Sequence, residues 1–136
     1  MRVNAYLYFD GRCEAAFAFY AERLGGRIVM MTKFGDTPMA AHMPPEWSDK
    51  IVHARMELGD GVLMGSDPPP DSYEAPKGFS VSLGVGDVAE AERVFHALAE
   101  GGDVRMPIQK TFWAARFGML VDKFGVPWMV NCDEAG

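Results

Sequence analysis

The chain lacks the features that mark several large classes of protein. Its two cysteines, Cys13 and Cys132, are too few for a disulfide framework and favour a reducing compartment. With 13 Lys and Arg against 19 Asp and Glu, the net charge of −6 provides no basic surface for nucleic acid. No apolar run approaches the roughly 20 residues of a membrane-spanning helix, and no leader pattern opens the sequence. We therefore expect a cytoplasmic protein without nucleic-acid or membrane partners.

One segment of the sequence occurs twice. Residues 3–26 overlay residues 79–102 without a gap, at a constant offset of 76. Leu7 falls on Leu83, Phe19 falls on Phe95, and Gly25 falls on Gly101 at this offset. With 136 residues and 49% hydrophobic content, the chain fits one domain over residues 1–136. The repeat indicates that this domain is a duplicated unit.

The repeated segment combines a strand pattern with a helix pattern. Apolar residues alternate with polar ones over 3–9 and over 79–85, which predicts strands with one buried face. Helical spacing of apolar residues follows in both copies and ends near a Gly-Gly pair. Further strands are predicted after the helices, at 27–34, 38–43, 51–58, 104–110, 112–121 and 126–131.

These elements predict an α+β fold. Two βαβββ modules, at about 1–65 and about 79–132, stand in tandem and are expected to form a curved mixed sheet with a helix behind each half. A proline-rich connector at about 66–78 joins them, because prolines are excluded from the interior of a sheet.

A duplicated βαβββ unit resembles the vicinal oxygen chelate superfamily of glyoxalases, bleomycin resistance proteins and dioxygenases. Several motifs are similar to its PhnB-like branch, which is also called the 3-demethylubiquinone-9 3-methyltransferase domain. These motifs are Thr111-Phe-Trp-Ala-Ala-Arg-Phe-Gly118, Asp122-Lys-Phe-Gly-Val-Pro-Trp-Met-Val-Asn131, the stretch 6–17, His53-Ala54 and Met64-Gly-Ser-Asp67. The resemblance covers nearly the whole chain and implies a homodimer, because relatives cover their exposed sheet edges by pairing two chains.

The resemblance also implies where a metal would bind. In metal-dependent members, four side chains from the first and last strands of the two halves hold the ion. Strand position and the offset of 76 place these ligands at Asn4, His53, Ser80 and Met129. Only one of the four is an imidazole, whereas a catalytic zinc, iron or manganese site needs about three imidazole, carboxylate or thiolate donors. No cofactor is therefore predicted, and a divalent metal remains the alternative.

His53 is the candidate catalytic residue. It is a titratable ring on an apolar strand, where it would act as a general base, as an anion partner or as a structural histidine. Arg55 shares its face, with Asn131 as its expected counterpart, and would bind a carboxylate or phosphonate, or form an ion pair at the rim. The other predicted ligand-binding residues are Tyr6, Tyr8, Ser82, Trp113, Arg116 and Phe117. For Trp113 and Phe117 the alternative is packing in the sheet or in a dimer interface.

The leading hypothesis is a homodimer that binds a small polar or anionic organic molecule without a catalytic metal. One rival is a metal-dependent lyase, isomerase or dioxygenase that uses His53 with other donors. Another is a protein that sequesters a drug without turnover. A nicotinamide or flavin site is not predicted from the G-x-G-x-x-A pattern at residues 84–89, because the first copy has no such glycines.

Overall fold

The computed structural model describes residues 1–133 in two compact units, one ending at Ala75 and one beginning at Pro76. Each unit contains one helix and four strands in the order βαβββ. The first unit comprises β1 (Ala5–Tyr8), α1 (Cys13–Leu24), β2 (Arg27–Lys33), β3 (Ile51–Leu58) and β4 (Gly61–Ser66). The second comprises β5 (Val81–Val85), α2 (Val88–Ala99), β6 (Asp103–Gln109), β7 (Arg116–Val121) and β8 (Pro127–Cys132). No helix within residues 1–133 is long and apolar enough to cross a membrane.

Each unit has its own mixed sheet. The strand order is β1-β4-β3-β2 in the first unit and β5-β8-β7-β6 in the second. The first strand pairs in parallel with the fourth, and the remaining pairs are antiparallel. The predicted α+β fold built from two βαβββ modules is confirmed.

Apolar residues at helical spacing fix each helix on one face of its sheet. In α1, Ala16, Phe17 and Tyr20 are fully buried, and the helix stops at Gly25, whose φ of 76° suits glycine. In α2, the side chain of Asp87 caps the helix by accepting a hydrogen bond from the Glu90 N–H at 2.7 Å. The hydrophobic core of each unit therefore lies between its helix and the facing side of its sheet.

The offset of 76 extends through the second strand of each unit. Strand β2 starts at Arg27 and β6 starts at Asp103, and the register shifts near Val29 in β2 and at the corresponding position in β6. The offset then changes, because residues 34–50 join β2 to β3 whereas only residues 110–115 join β6 to β7. The two modules therefore remain structurally equivalent, but their later strands do not share one sequence offset.

The longer connection in the first unit corrects one predicted strand. Residues 38–43 do not form a strand, because Pro38–His42 is a 3-10 helix. Pro38 has no N–H to donate to a sheet, and the Thr37 hydroxyl accepts a hydrogen bond from the Met39 N–H at 3.2 Å, so a helical turn starts here instead.

The prediction also omitted β4. Its two glycines, Gly61 and Gly65, weaken the strand pattern in the sequence. Gly65 is required by packing, since an added Cβ would lie 2.9 Å from a ring carbon of Phe17. In the second unit, the strand predicted at 112–121 starts later, at Arg116.

One buried carboxylate stabilises each unit. Asp67 follows β4 and accepts hydrogen bonds of 3.0 Å from the N–H groups of Gly11, Cys13 and Ile51. It thereby ties the start of α1 and the start of β3 to the end of β4. Burial raises the pKa of Asp67, while the three N–H donors and Lys50 act in the opposite direction.

The corresponding carboxylate of the second unit is Asp122, between β7 and β8. It accepts hydrogen bonds from the N–H groups of Phe124 and Val126, and from Nε1 of Trp128 at 2.9 Å. Trp128 is fully buried in the core. Both carboxylates therefore serve the fold, because their oxygens are occupied by donors of the same unit.

Candidate functional site

The helix-free side of the first sheet carries a group of polar and aromatic residues. Residues that alternate with them, such as Leu7, Ala54 and Leu63, are buried towards α1. Because side chains alternate along a strand, their neighbours lie on the opposite side. We call this group the polar face; it consists of Tyr6, Tyr8, His53, Arg55, Met64 and Ser66.

A hydrogen bond joins Tyr6 and His53 at the centre of the polar face. The Tyr6 hydroxyl lies 3.0 Å from Nδ1 of His53, and the two rings stack with centroids 5.6 Å apart and an interplanar angle of 25°. The Tyr8 ring is 5.3 Å from that of Tyr6. Burial raises the pKa of Tyr6, while a hydrogen bond with the Ser66 side chain opposes this shift. At neutral pH the phenol is therefore protonated.

Arg55 lies beside this pair in the sheet. Its backbone is opposite Met64, which in turn is opposite Tyr6, and its Nη1 is 4.0 Å from Sδ of Met64. Arg55 also lines a groove of about 470 Å³ together with Arg2, Asn4, Asp60 and other residues of the first unit. The guanidinium is thus placed between the hydrogen-bonded rings and an open groove.

Glu57 is engaged by another arginine at the same end of the sheet. Its carboxylate forms an exposed ion pair with Arg27, which lowers the pKa of Glu57. Arg55 forms no ion pair with a residue in the described range 1–133. The guanidinium of Arg55 is therefore available to an anion.

The predicted residues of the second unit are arranged differently. The ring of Trp113 contacts those of Phe112 and Phe117, with centroid distances of 4.8 and 5.3 Å. Arg116 does not join Phe117, because it belongs to the helix-facing set of β7 and its Nε donates to Glu92 of α2 at 2.9 Å. Ser82 lies opposite Met129 on β8. The structure thus groups Trp113 with Phe117 but commits Arg116 to a structural ion pair.

The sheet register corrects the derivation of the predicted metal positions. The offset of 76 made His53 the counterpart of Met129, but His53 is on the third strand of its unit and Met129 is on the fourth. Met64 is opposite Tyr6 just as Met129 is opposite Ser82, so Met64 is the counterpart of Met129. No simple sequence signal reveals this, because matching Gly61-Val62 with Gly125-Val126 would pair Met129 with Gly65.

The same register removes another expected pairing. Arg55 was matched with Asn131, but Arg55 is opposite Met64 while Met119 is opposite Met129. The counterpart of Arg55 is therefore Met119. His53 comes one residue before Ala54, and Phe117 comes one residue before the counterpart of Ala54 in the second unit. Phe117 therefore corresponds to His53.

The residues present do not fit the divalent metal that the fold family implies. Asn4 and His53 belong to the first unit and Ser80 and Met129 to the second. Met64, and not His53, is the counterpart of Met129, and putting Met64 in place of His53 leaves no imidazole in the set. Nδ1 of His53 is already bonded to Tyr6. Within residues 1–133 no three His, Cys, Asp or Glu side chains form a cluster suited to a metal ion. Amide, hydroxyl and thioether groups are poor ligands for zinc, iron or manganese.

Sequence reasoning omitted two residues that the structure adds to the candidate site. Ser66 was quoted only as part of the Met64–Asp67 motif, and Arg2 precedes the first strand, where no periodicity marked it. The Cys13 thiol is excluded as a nucleophile, since it is fully buried and burial raises its pKa.

Comparison with known proteins places the chain in a family. The model of the Glyoxalase/Bleomycin resistance protein/Dioxygenase superfamily matches residues 2–130. The protein YjdN of Escherichia coli (strain K12) is 37% identical over 139 residues, covering 96% of this chain and 95% of YjdN.

Two solved structures share the fold over nearly the full length. Protein PA1353 from Pseudomonas aeruginosa is 52% identical, with a TM-score of 0.89 and 98% coverage of both chains. A PhnB protein from Bacillus cereus is 24% identical, with a TM-score of 0.79 and coverage of 97% of this chain and 99% of that one. The chain therefore belongs to the glyoxalase/bleomycin resistance protein/dioxygenase superfamily, and it shares the fold of a PhnB protein.

Proposed function

We propose that the chain binds a small polar or anionic organic molecule on the polar face of its first unit, without the divalent metal of its metal-dependent relatives. The observation that carries this proposal is the hydrogen bond between Tyr6 and His53 beside the guanidinium of Arg55. Arg55 binds the acidic group, while His53 and the rings of Tyr6 and Tyr8 hold the remainder.

The physical character of the polar face supports this proposal. Small-molecule sites combine aromatic surface with a few placed polar groups in clefts of roughly 300–1,000 Å³. The groove next to Arg55 has a volume of about 470 Å³, which lies in that range, and its lining includes Arg2, Glu57 and Asp60 but not the aromatic rings. A planar guanidinium binds carboxylates and phosphonates through two parallel hydrogen bonds, so Arg55 favours ligands with one of these groups.

The binding test uses simple probes that share the proposed acidic group. Methylphosphonate, phosphonoacetate and acetate are titrated into the purified protein by calorimetry, with acetamide as an uncharged probe of similar size to acetate. We expect at least one anion to bind and acetamide not to bind. Absence of binding by all three anions at millimolar concentration would contradict the proposal.

Variants locate the binding on the polar face. Arg55→Gln removes the charge and is expected to weaken anion binding at least tenfold, the cost of roughly one charge-assisted hydrogen bond. Arg93→Gln is the matched control, because Arg93 is an exposed arginine of α2 that pairs with Glu90. Equal losses in the two variants would indicate unspecific attraction and would argue against the site.

We also propose that the chain works as a homodimer in the cytoplasm. Strands β2 and β6 each form one edge of their sheet and expose apolar side chains, including Met30 and Val104. Unpaired, exposed strands of this kind are commonly covered by a partner. Static light scattering at micromolar concentration is expected to give twice the mass of 15.0 kDa, and a monomer mass would contradict the homodimer.

A further inference from the structure

The hydrogen bond to Tyr6 constrains the proton on His53. The Tyr6 hydroxyl lies 3.0 Å from Nδ1 of His53, and the two rings stack with centroids 5.6 Å apart. Tyr6 is therefore the side chain that contacts Nδ1 and fixes the orientation of the His53 ring.

The strengths of the donors and acceptors select one direction for this bond. A phenol has one proton to donate, and a neutral imidazole has one protonated and one unprotonated nitrogen. The phenol hydroxyl is a stronger donor than an imidazole N–H, and the unprotonated imidazole nitrogen is a stronger acceptor than a phenol oxygen. The bond in which Tyr6 donates to Nδ1 of His53 is therefore favoured over the reverse, and it leaves the ring proton on Nε2.

We infer that Tyr6 is a positioning residue that holds the His53 ring with its proton on Nε2, so that His53 donates a hydrogen bond to the ligand. Nε2 has no hydrogen-bond partner among residues 1–133, so its N–H is open to a ligand. Arg55 also provides only donors. The ligand group at this point is therefore an acceptor, such as a carboxylate, phosphonate or carbonyl oxygen, and His53 acts as an anion partner and not as a general base.

This inference rests on the proposed ligand site, but its first test needs no ligand. The chain has three histidines, so long-range proton–nitrogen NMR of ¹⁵N-labelled protein at pH 8 can resolve each ring and identify its tautomer. We expect His53 to be mostly the Nε2–H form, with Nδ1 unprotonated. A ring that is mostly Nδ1–H would overturn the inference even if anions bind.

One substitution tests the role of Tyr6. Tyr6→Phe removes the donor to Nδ1, so we expect the His53 ring to become a mixture of tautomers. We also expect methylphosphonate affinity to fall by roughly tenfold, the effect of losing one hydrogen bond. Unchanged His53 signals in Tyr6→Phe would contradict the inference.

Tyr8→Phe is the matched control. Tyr8 is on the same strand and face as Tyr6, but the residue is 52% exposed and its ring contacts that of Tyr6. We expect this variant to keep the wild-type tautomer of His53. The rings of His42 and His96 report whether each variant is folded, since His96 contacts Glu92 and Phe95 in the second unit. A tautomer change in Tyr8→Phe as large as that in Tyr6→Phe would assign the effect to general loosening.

Discussion

The two units share one backbone plan but present different chemistry on their helix-free sides. Across the first sheet, one row of opposed residues reads Tyr6, Met64, Arg55 and Met30. The matching row of the second sheet is Ser82, Met129, Met119 and Met106. The first row has a guanidinium where the second has a thioether. The two units therefore share their scaffold, while the side chains along this row differ in charge and polarity.

The neighbouring positions show the same contrast. His53 of the first unit corresponds to Phe117 of the second, which packs against Trp113. An imidazole bonded to a phenol offers a polar contact, whereas a phenyl ring against an indole offers apolar surface. The comparison teaches that position in the duplicated fold does not determine the chemistry, and that the side chains at equivalent positions must be read individually.

The largest expected effect is on stability, where the two units should behave alike. Asp67→Ala leaves the N–H groups of Gly11, Cys13 and Ile51 without their acceptor, and we expect the free energy of unfolding to fall by about 3 kcal/mol or more. Asp122→Ala should lower the free energy of unfolding by a similar amount, because it also leaves three hydrogen-bond donors without their acceptor. Urea denaturation measures both, and a loss below about 1 kcal/mol in either would contradict the proposed structural role.

The next effect tests the contrast between Arg55 and Met119. Arg55→Met places in the first unit the residue type that the second unit has at Met119. We expect methylphosphonate binding to weaken by more than tenfold, because a charged hydrogen-bond donor is lost. Met119→Leu is the matched control in the second unit and should bind as the wild type does. Calorimetry at a fixed salt concentration measures the methylphosphonate affinity of both variants. An unchanged affinity in Arg55→Met would contradict the proposed difference between the two units.

A smaller effect is expected for His53. His53→Ala should weaken anion binding by roughly threefold to tenfold, the range for one hydrogen bond, while the melting temperature changes by only a few degrees, because the ring is half-buried and outside the core. Scanning calorimetry with and without methylphosphonate separates the two readouts. A large drop in melting temperature with unchanged affinity would make His53 structural.

The smallest effect is the pH dependence of two exposed ion pairs. The pKa of Glu57 is lowered by Arg27 and that of Glu90 by Arg93, so each folded carboxylate binds its proton less readily than the unfolded one. Their contributions to stability are therefore present at neutral pH and are lost as the pH falls through the folded pKa, below the ordinary glutamate value. Carboxyl-detected NMR titration should show both midpoints below about 4.3, and a midpoint above it would contradict the ion pair.

The strand and helix patterns were sufficient to predict most of the fold, and the failures have physical causes. Alternation identified β1 and β5, and helical spacing with Gly25 and Gly101 identified both helices. Residues 38–43 were mistaken for a strand because their apolar content does not reveal the proline-initiated turn. β4 was missed because packing against Phe17 requires a glycine that has low strand propensity.

The candidate site was predictable only in part. Residues of one strand could be assigned to one side by their alternation, which gave Tyr6 with Tyr8 and His53 with Arg55. Pairing between strands depends on the lengths of their connections, and the longer segment 34–50 displaced the counterpart of Met129 from His53 to Met64. Contacts such as Tyr6 with His53, or Arg116 with Glu92, arise from tertiary structure and leave no local signal.

The central claim is that the polar face of the first unit binds an anion while the equivalent face of the second does not. A methylphosphonate titration followed by proton–nitrogen NMR tests it most directly, because both faces are observed in one sample. We predict saturable shifts of the Arg55 side chain, the His53 ring and neighbouring amides of β1 and β3, with the amides around Met119 and Met129 unchanged. Shifts centred on Met119 and Met129, or no saturable shifts at Arg55 and His53, would contradict the account.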